Sequence, residues 1–199
     1  MLRMSKKTMN DRERERASEL TDELKAIQKV IDEQGIEALE IDKHPDVQVR
    51  ERIFRQKRLY AWCYWSVFQY FLEEYNLSQR RISEQLGKQP STIAQMIHRN
   101  TFPSSTFETT IMTFLAGISS DSDYQKELTG LKRDNVISAF LVLDECAILD
   151  KEAILIQFDE SERERGSDRL KDLSRAIKDL NEDELAKVSD YIEWLKSRR

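Results

Sequence analysis

Apolar residues recur at helical spacing along most of the chain, and this pattern predicts an all-α fold. The first clear stripe consists of Leu20, Leu24, Ile27 and Ile31, and Gly35 follows it as a stop signal. A stripe this narrow suits a coiled-coil seam, and it suits equally a helix that covers neighbouring helices of the same chain. Residues 36–41 are compatible with a short helix or an extended arm.

The longest helical pattern runs from about Asp46 to Tyr75, directly after Pro45. Its first half is basic and its second half is aromatic. Two adjacent rows predict a wide buried face: Tyr60, Tyr64, Val67 and Phe71, and beside them Ala61, Trp65, Phe68 and Leu72. Trp62 falls on an otherwise polar row. Because tryptophan is enriched at interface centres, we expect Trp62 to contact another helix of this chain or of a second copy.

Residues 77–103 predict two short helices joined by a tight turn. Ser78 is a suitable N-cap for the first helix, and Gly87 suits a turn that needs positive φ. Pro90 is expected at the first position of the second helix. The buried positions are expected to be Ile82, Leu86, Ile93, Met96 and Ile97. Helices this short are unstable alone, so both must pack against the rest of the protein.

The Leu77-Ser78-Gln79 opening, the small residue Ser83, Gly87 four positions later, Ile93 and the Pro103 loop resemble the helix-turn-helix of phage repressors and Cro proteins, the XRE family. The resemblance covers about residues 58–117. The chain departs from the family after the second helix, where Asn100 replaces the usual Asn-Gly pair. Asn tolerates the left-handed conformation needed there. An ordinary pair of packed helices is the alternative interpretation.

The resemblance implies that the second short helix enters the DNA major groove. It assigns base contacts to Gln89, Ser91, Thr92 and Gln95, and Gln95 is the best candidate because a carboxamide pairs with adenine. Gln79 corresponds to a family position that holds a phosphate. Further backbone contacts are expected from Arg80, Arg81, Lys88, His98 and Arg99, with solvated surface residues as the alternative.

Beyond Pro103, Ser105 and Glu108 match a capping box for a helix that ends near Ala116. Residues 117–124 read as a linker, and residues 124–133 and 135–150 as helices. The apolar run within 135–150 is expected to be buried on nearly all sides. Helix and strand remain open for residues 134–158. A charged break is expected over 159–168, around Gly166.

The last stretch predicts two amphipathic helices. The first carries Leu170, Leu173, Ile177 and Leu180, and Asn181 caps the second. The interface candidates on that final helix are Leu185, Tyr191, Trp194 and Leu195. The predicted organisation is therefore an N-terminal helical arm (1–45), a helix-turn-helix DNA-binding domain (46–118) and a helical C-terminal region (119–199) that dimerises or binds a partner protein.

Charge is distributed unevenly along the chain. The net charge is −5, yet residues 50–103 hold nine Lys or Arg against four Glu, a balance of +5, and the remainder therefore carries −10. A basic module within an acidic chain is compatible with binding double-stranded DNA, because phosphate contacts are local. No run of eighteen apolar residues or signal-peptide segment occurs, so a cytoplasmic protein with no membrane span is expected. Cys63 and Cys146 are expected to be buried, reduced thiols.

The function that follows is a sequence-specific transcriptional regulator, most simply a homodimeric repressor of a phage, mobile element or small operon. A dimer would occlude a promoter on half-sites about 34 Å apart. The alternative is an antitoxin or adaptor whose C-terminal helices bind another protein. The sequence has no phosphate loop, zinc-ligand spacing or nucleophile elbow, so we expect no enzyme activity, no cofactor and no metal.

Overall fold

The structure is a computed structural model that describes residues 9–40, 44–118, 131–132, 134–146 and 148–197. Regular secondary structure in these ranges is helical throughout, which confirms the all-α class. The helices are α1 (Asp11–Gln34), the 3-10 helix η1 (Ile36–Glu40), α2 (Val47–Glu74), α3 (Gln79–Gln85), α4 (Thr92–Arg99), α5 (Ser105–Ala116), α6 (Val136–Glu145), α7 (Lys151–Lys178) and α8 (Glu182–Lys196). The predicted linker residues 119–124 and the predicted helix over 124–130 lie outside the described residues.

The chain divides into two compact units, Met1–Phe158 and Asp159–Arg199. The first unit includes α1 to α6, so the predicted N-terminal arm and the predicted DNA-binding domain both belong to it. It also includes α6, which the sequence grouped with the C-terminal region. None of the helices in the described part of the chain is long and apolar enough to cross a membrane.

α1 begins at a capping box in which Asn10 and Glu13 exchange hydrogen bonds, each 2.9 Å long. All four residues of its apolar stripe are buried, and the helix packs on η1, α2 and α6. Full burial of one such side chain contributes about 1.5–3 kcal/mol. The stripe is therefore used inside the chain, as a covering helix requires, and it is not available as a coiled-coil seam.

α2 is the central helix of the first unit. Asp46 caps it by accepting hydrogen bonds from the amides of Gln48 and Val49. Both predicted rows are buried, with Tyr60, Tyr64 and Phe68 among the largest fully buried side chains. α2 also makes the most extensive helix-helix packing in the described structure, against α6. Burial of the Cys63 thiol in this core raises its pKa.

Trp62 contacts another helix of its own chain, which is one of the two expected alternatives; the other was a helix of a second copy. Its indole Nε1 donates a hydrogen bond of 3.0 Å to the carbonyl oxygen of Ile154 in α7. Its ring centroid lies 5.9 Å from that of Phe158. The indole thus joins α2 to the first turns of α7 within the first unit.

The start of α5 corrects the sequence prediction by one residue. Ser104, not Ser105, is the N-cap, with extended backbone and its hydroxyl accepting a 3.3 Å hydrogen bond from Phe107. Glu108 then falls one position beyond the place that a capping box requires. Adjacent serines are chemically equivalent caps, so the sequence does not distinguish them.

Residues 134–158 resolve to helix in α6 and in the first turns of α7, apart from the connection between them. The expectation of burial on nearly all sides is wrong for this segment. Val136, Ile137 and Phe140 are buried, but Val142 is 53% exposed and Ile148 is 50% exposed. α6 lies on the surface of the unit and buries one side only. Cys146, at its end, is an exposed free thiol, which corrects the prediction that both cysteines are buried.

The predicted break over 159–168 is also wrong, because α7 runs without interruption from Lys151 to Lys178. A helix-interior glycine costs only about 1 kcal/mol relative to alanine, and the residues before Gly166 are good helix formers. Their charges alternate at helical spacing. Arg163 pairs with Asp159 at 2.6 Å, and Arg165 with Glu162 at 3.4 Å.

The second unit contains the rest of α7 and α8. Asn181 and Glu184 form a reciprocal capping box with both hydrogen bonds at 3.0 Å, which confirms the predicted cap. Large apolar side chains on both helices are exposed: Leu170, Leu173, Ile177, Leu185, Tyr191, Ile192 and Trp194. The side chain of Leu195 lies outside the described part of the structure.

Candidate nucleic-acid interface

α3 and α4 adopt the predicted arrangement of two short helices joined by a tight turn. The Ser78 hydroxyl caps α3 by accepting a 3.4 Å hydrogen bond from the amide of Arg81. Gly87 has φ +65°, the left-handed conformation expected of it. The amides of Gly87 and Lys88 bond back to the carbonyls of Glu84 and Ser83, so the helix ends in a Schellman motif.

The packing between the two helices depends on small and apolar side chains. Ser83 is fully buried, as the motif requires of the residue at a close helix crossing, and α3 contacts α4 directly. Ile82 and Ile93 are also buried, while Leu86, Met96 and Ile97 are partly buried against the same core. One face of α4 is therefore fixed, and the opposite face is left to solvent.

α4 begins two residues later than the sequence predicted. Pro90 belongs to the preceding turn, in which the amide of Thr92 donates a 2.9 Å hydrogen bond to the carbonyl of Gln89. Ser91 has φ −88° and ψ −1°, as expected for the third residue of a type I turn. Proline has the same fixed φ in a type I turn and in a first helical turn, so the sequence alone does not separate them.

The exposed face of α4 and the turn before it carry the residues predicted to read bases. Gln89, Ser91 and Gln95 are exposed, and Thr92 is half-buried. Gln95 Nε2 donates a 3.1 Å hydrogen bond to the hydroxyl of Ser91, one turn earlier. Because Nε2 carries two hydrogens, this bond leaves Gln95 one donor and its carbonyl oxygen for another partner.

The predicted phosphate contacts lie around this face. Arg80, Arg81, Lys88, His98 and Arg99 are exposed, and Gln79 is half-buried. Arg80 pairs with Glu84 at 3.0 Å across one turn of α3, and both side chains are largely solvent-exposed. Such a pair is worth only about 0.3–0.5 kcal/mol. The Lys88 ammonium lies 5.9 Å from the ring centroid of Phe107, which orients it against α5.

Acidic residues are absent from the sequence between Glu84 and Glu108, although charged residues make up 35% of the chain. The connecting turn, α4 and the loop before α5 thus contain Lys88 and Arg99 without any carboxylate. An anionic ligand would meet no like charge from this segment.

Beside this face lies a groove of about 440 Å³, between the end of α2 and the starts of α3 and α4. Gln79, Arg80, Pro90 and Ala94 line it from α3, α4 and the turn before α4, and Glu73 from α2. The groove explains why Gln79 is only half-buried: its side chain borders an open space next to the start of α3.

The end of α4 is held against α2 by contacts that the sequence did not predict. Trp65 Nε1 donates a 2.9 Å hydrogen bond to the carbonyl oxygen of Thr101, immediately after α4. The Phe102 ring packs on Tyr60 and Tyr64, with centroid distances of 5.3 and 4.9 Å. The available signal was Phe102 itself, a large apolar residue within a polar loop. These contacts fix α4 to α2, the central helix of the unit.

Asn100 takes the left-handed conformation predicted for it, with φ 54° and ψ 42°. The amides of Asn100 and Thr101 bond to the carbonyls of Ile97 and Met96, so α4 ends as α3 does. The Asn100 side chain is only 3% exposed. Neither of its polar atoms has a hydrogen-bond partner in the described structure.

The fold and the site together define an all-helical protein with an exposed, acid-free helix backed by an aromatic core. Comparisons with protein-family models, with curated proteins and with solved structures find no match for the chain. No group of three His, Cys, Asp or Glu residues in the described ranges could hold a metal ion.

Proposed function

We propose that this protein is a sequence-specific DNA-binding regulator of transcription, located in the cytoplasm and acting as a dimeric repressor of a phage, mobile element or small operon. The observation that supports this most is α4 itself. It presents Ser91 and Gln95 to solvent, is fixed from behind by the core, and lies in a segment with cations and no carboxylates. This is the chemistry that a helix in the major groove of DNA needs.

In this proposal Gln95 reads adenine, with its remaining Nε2 hydrogen on adenine N7 and its oxygen on the N6 amino group. Ser91 would hold the carboxamide in place through the bond already present in the free protein. Gln89 and Thr92 would reach the neighbouring bases. Contact with a base edge requires no rearrangement of α4, so little ordering cost accompanies binding.

Phosphate contacts would come from Gln79, Arg80, Lys88 and Arg99. Arg80 would exchange its weak exposed pair with Glu84 for a phosphate at small cost. Each neutralised phosphate steepens the dependence of log K on log salt concentration by about 0.9. These residues would supply affinity for any sequence, and α4 would supply the choice among sequences.

The experiment that separates the two roles compares Gln95→Ala with Lys88→Gln on a set of duplexes. Gln95→Ala should reduce discrimination at one base position by about 1–3 kcal/mol. Lys88→Gln should weaken all duplexes equally and lower the salt slope by about 1. Equal loss on all sequences in both variants would contradict the assignment of base reading to α4.

We propose that the dimer forms through the second unit. Two of the alternative interfaces are already used within the chain, since the α1 stripe is buried and Trp62 contacts α7. The second unit, in contrast, exposes seven large apolar side chains on α7 and α8. A standard interface buries about 800 Å² per partner, and large apolar side chains of this kind form its core. A second copy offers an equally apolar surface in return.

The same exposed surface supports a second candidate function, an antitoxin or adaptor that binds another protein through Leu185, Tyr191, Trp194 and Leu195. The Tyr191 and Trp194 rings stack at 5.6 Å on the exposed side of α8, and tyrosine and tryptophan are enriched at interface centres. Loss of partner binding in Trp194→Ala, with unchanged oligomeric mass, would favour this function over self-association.

A further inference from the structure

The first turns of α2 carry a concentration of positive charge that the base-reading site does not use. Residues 47–58 hold five Lys or Arg and one Glu, in a chain whose net charge is −5. Arg50, Phe54, Lys57 and Arg58 are spaced by four, seven and eight positions and so share one side of the helix. We call these four residues the α2 basic stripe.

Two cations of this stripe, Arg50 and Lys57, differ from the ion-paired cations of α1 and α7. On α1 and α7, exposed cations form pairs within one turn, such as Lys25 with Asp22 and Arg175 with Asp172. Arg50 and Lys57 form no ion pair in the described structure. Their charge is therefore available to an anionic partner without the loss of an existing pair.

Phe54 lies in the middle of the stripe and is 59% exposed. The Arg58 guanidinium lies over its ring, 4.5 Å from the centroid. Such a contact stabilises an exposed cation by about 0.5–1 kcal/mol and limits its motion. The stripe thus combines oriented positive charge with an accessible apolar ring, a combination that suits an anionic partner such as a sugar-phosphate chain.

The stripe continues into the row of α2 that holds α4 in place. Three residues of the stripe each lie eleven positions before a buried residue of that row: Arg50 before Ala61, Phe54 before Trp65 and Lys57 before Phe68. Eleven residues are about three helical turns, so each pair lies on the same side of α2. Trp65 is the residue that bonds to Thr101 at the end of α4. Phe54 is therefore roughly 16 Å along the axis from the anchor of α4.

That distance is shorter than one turn of a DNA duplex. One turn of B-DNA spans about 34 Å, so a duplex held at α4 is long enough to reach a surface roughly 16 Å away. We propose that the α2 basic stripe is a second contact to the DNA backbone, beside the site read by α4. This inference rests on the proposed DNA-binding function and extends it to a longer duplex.

The test measures the equilibrium constant of the full chain for a selected duplex over a series of salt concentrations. The variant is Arg50→Gln/Lys57→Gln, which keeps helix propensity because glutamine is a good helix former. Loss of two phosphate contacts should lower the salt slope by about 1.8. The segment of DNA protected from hydroxyl radicals should shorten on the flank while the centre of the site stays protected.

The matched control is Arg52→Gln/Lys171→Gln, which removes the same charge elsewhere. Arg52 is exposed and only two residues from Arg50, but it points about 200° around the helix from it. Lys171 is an exposed residue of α7. The control should keep the wild-type slope. Equal slopes in the two double variants, with sequence preference intact, would overturn the stripe proposal alone. Failure of the wild type to prefer any sequence would overturn both proposals.

Discussion

Asn100 has a backbone conformation that suits it and a buried side chain that lacks hydrogen-bond partners. The left-handed conformation costs roughly 1–2 kcal/mol for most residues, but little for asparagine or glycine. An unsatisfied buried amide costs about 1–3 kcal/mol. Asn100 therefore stabilises the turn through its backbone conformation, while its buried side-chain amide destabilises the fold.

We predict that Asn100→Gly is at least as stable as the wild type and more stable than Asn100→Ala by about 1–2 kcal/mol. Glycine removes the unsatisfied amide and tolerates the positive φ, whereas alanine only removes the amide. Urea denaturation followed by circular dichroism measures the difference. An alanine variant as stable as the glycine variant would show that the turn after α4 does not need a left-handed residue.

Residues whose role is local were predictable from the sequence. Ser78, Gly87 and Asn181 act through their own backbone or the next turn, so a short motif identifies them. The partner of Trp62 was not predictable, because Ile154 lies 92 positions away and nothing in the sequence specifies a backbone carbonyl as its acceptor. The bond between Gln95 and Ser91 was missed although the spacing of four permits it, since a polar pair on a helix surface has many alternatives.

At the scale of the helices, the sequence predicted which segments are helical better than it predicted where a helix starts or breaks. The stripes of α1 and α2 identified both helices, because burial of a repeated apolar face dominates their stability. The prediction of a break around Gly166 was wrong. A single glycine destabilises a helix by less than the neighbouring helix-forming residues and ion pairs stabilise it. The predicted start of α4 was wrong for a different reason, because Pro90 suits either a turn or the first turn of a helix.

Gly87 and Gly166 provide a matched test of how backbone conformation at a glycine affects stability. A Cβ added at either position would have no atom within 4 Å, so only the backbone differs. Gly166→Ala should stabilise the protein by about 0.5–1 kcal/mol, since alanine is the better residue in a continuous helix. Gly87→Ala should destabilise it by about 1–2 kcal/mol, because φ is +65° there.

The measurement is urea denaturation of both variants, with helix content from circular dichroism in the absence of urea. Opposite signs are the predicted result. A destabilised Gly166→Ala variant with reduced helix content would indicate that residues 159–168 form a break, as the sequence alone had suggested.

At the scale of the whole molecule, the basic segments and most of the exposed apolar side chains lie in different parts of the chain. The acid-free segment around α4 and the basic start of α2 belong to the first unit, and most of the large exposed apolar side chains belong to the second. The sequence predicted the charge distribution, since it requires only counting. It did not predict which apolar stripe remains exposed, because the stripes of α1 and α7 look alike until the packing is known.

We predict that the wild type has about twice the monomer mass of 23.5 kDa and that Leu173→Glu/Ile177→Glu is monomeric. A carboxylate in an apolar interface loses its hydration without a partner, which disfavours association. Val142→Glu/Ile148→Glu is the control, because both residues are about half exposed but belong to the first unit. Light scattering after size exclusion measures the mass. If only the control variant were monomeric, the dimer interface would have to lie in the first unit.

The measurement that tests the central proposal most directly is selection from random DNA duplexes by the purified wild-type protein and by Gln95→Ala. We predict that the wild type selects a two-fold symmetric sequence whose half-sites lie about 34 Å apart. We also predict that Gln95→Ala loses the preference for adenine at one position of each half-site and keeps the rest. Recovery of no preferred sequence, with binding that simply weakens as salt increases, would contradict the assignment of α4 as a base-reading helix.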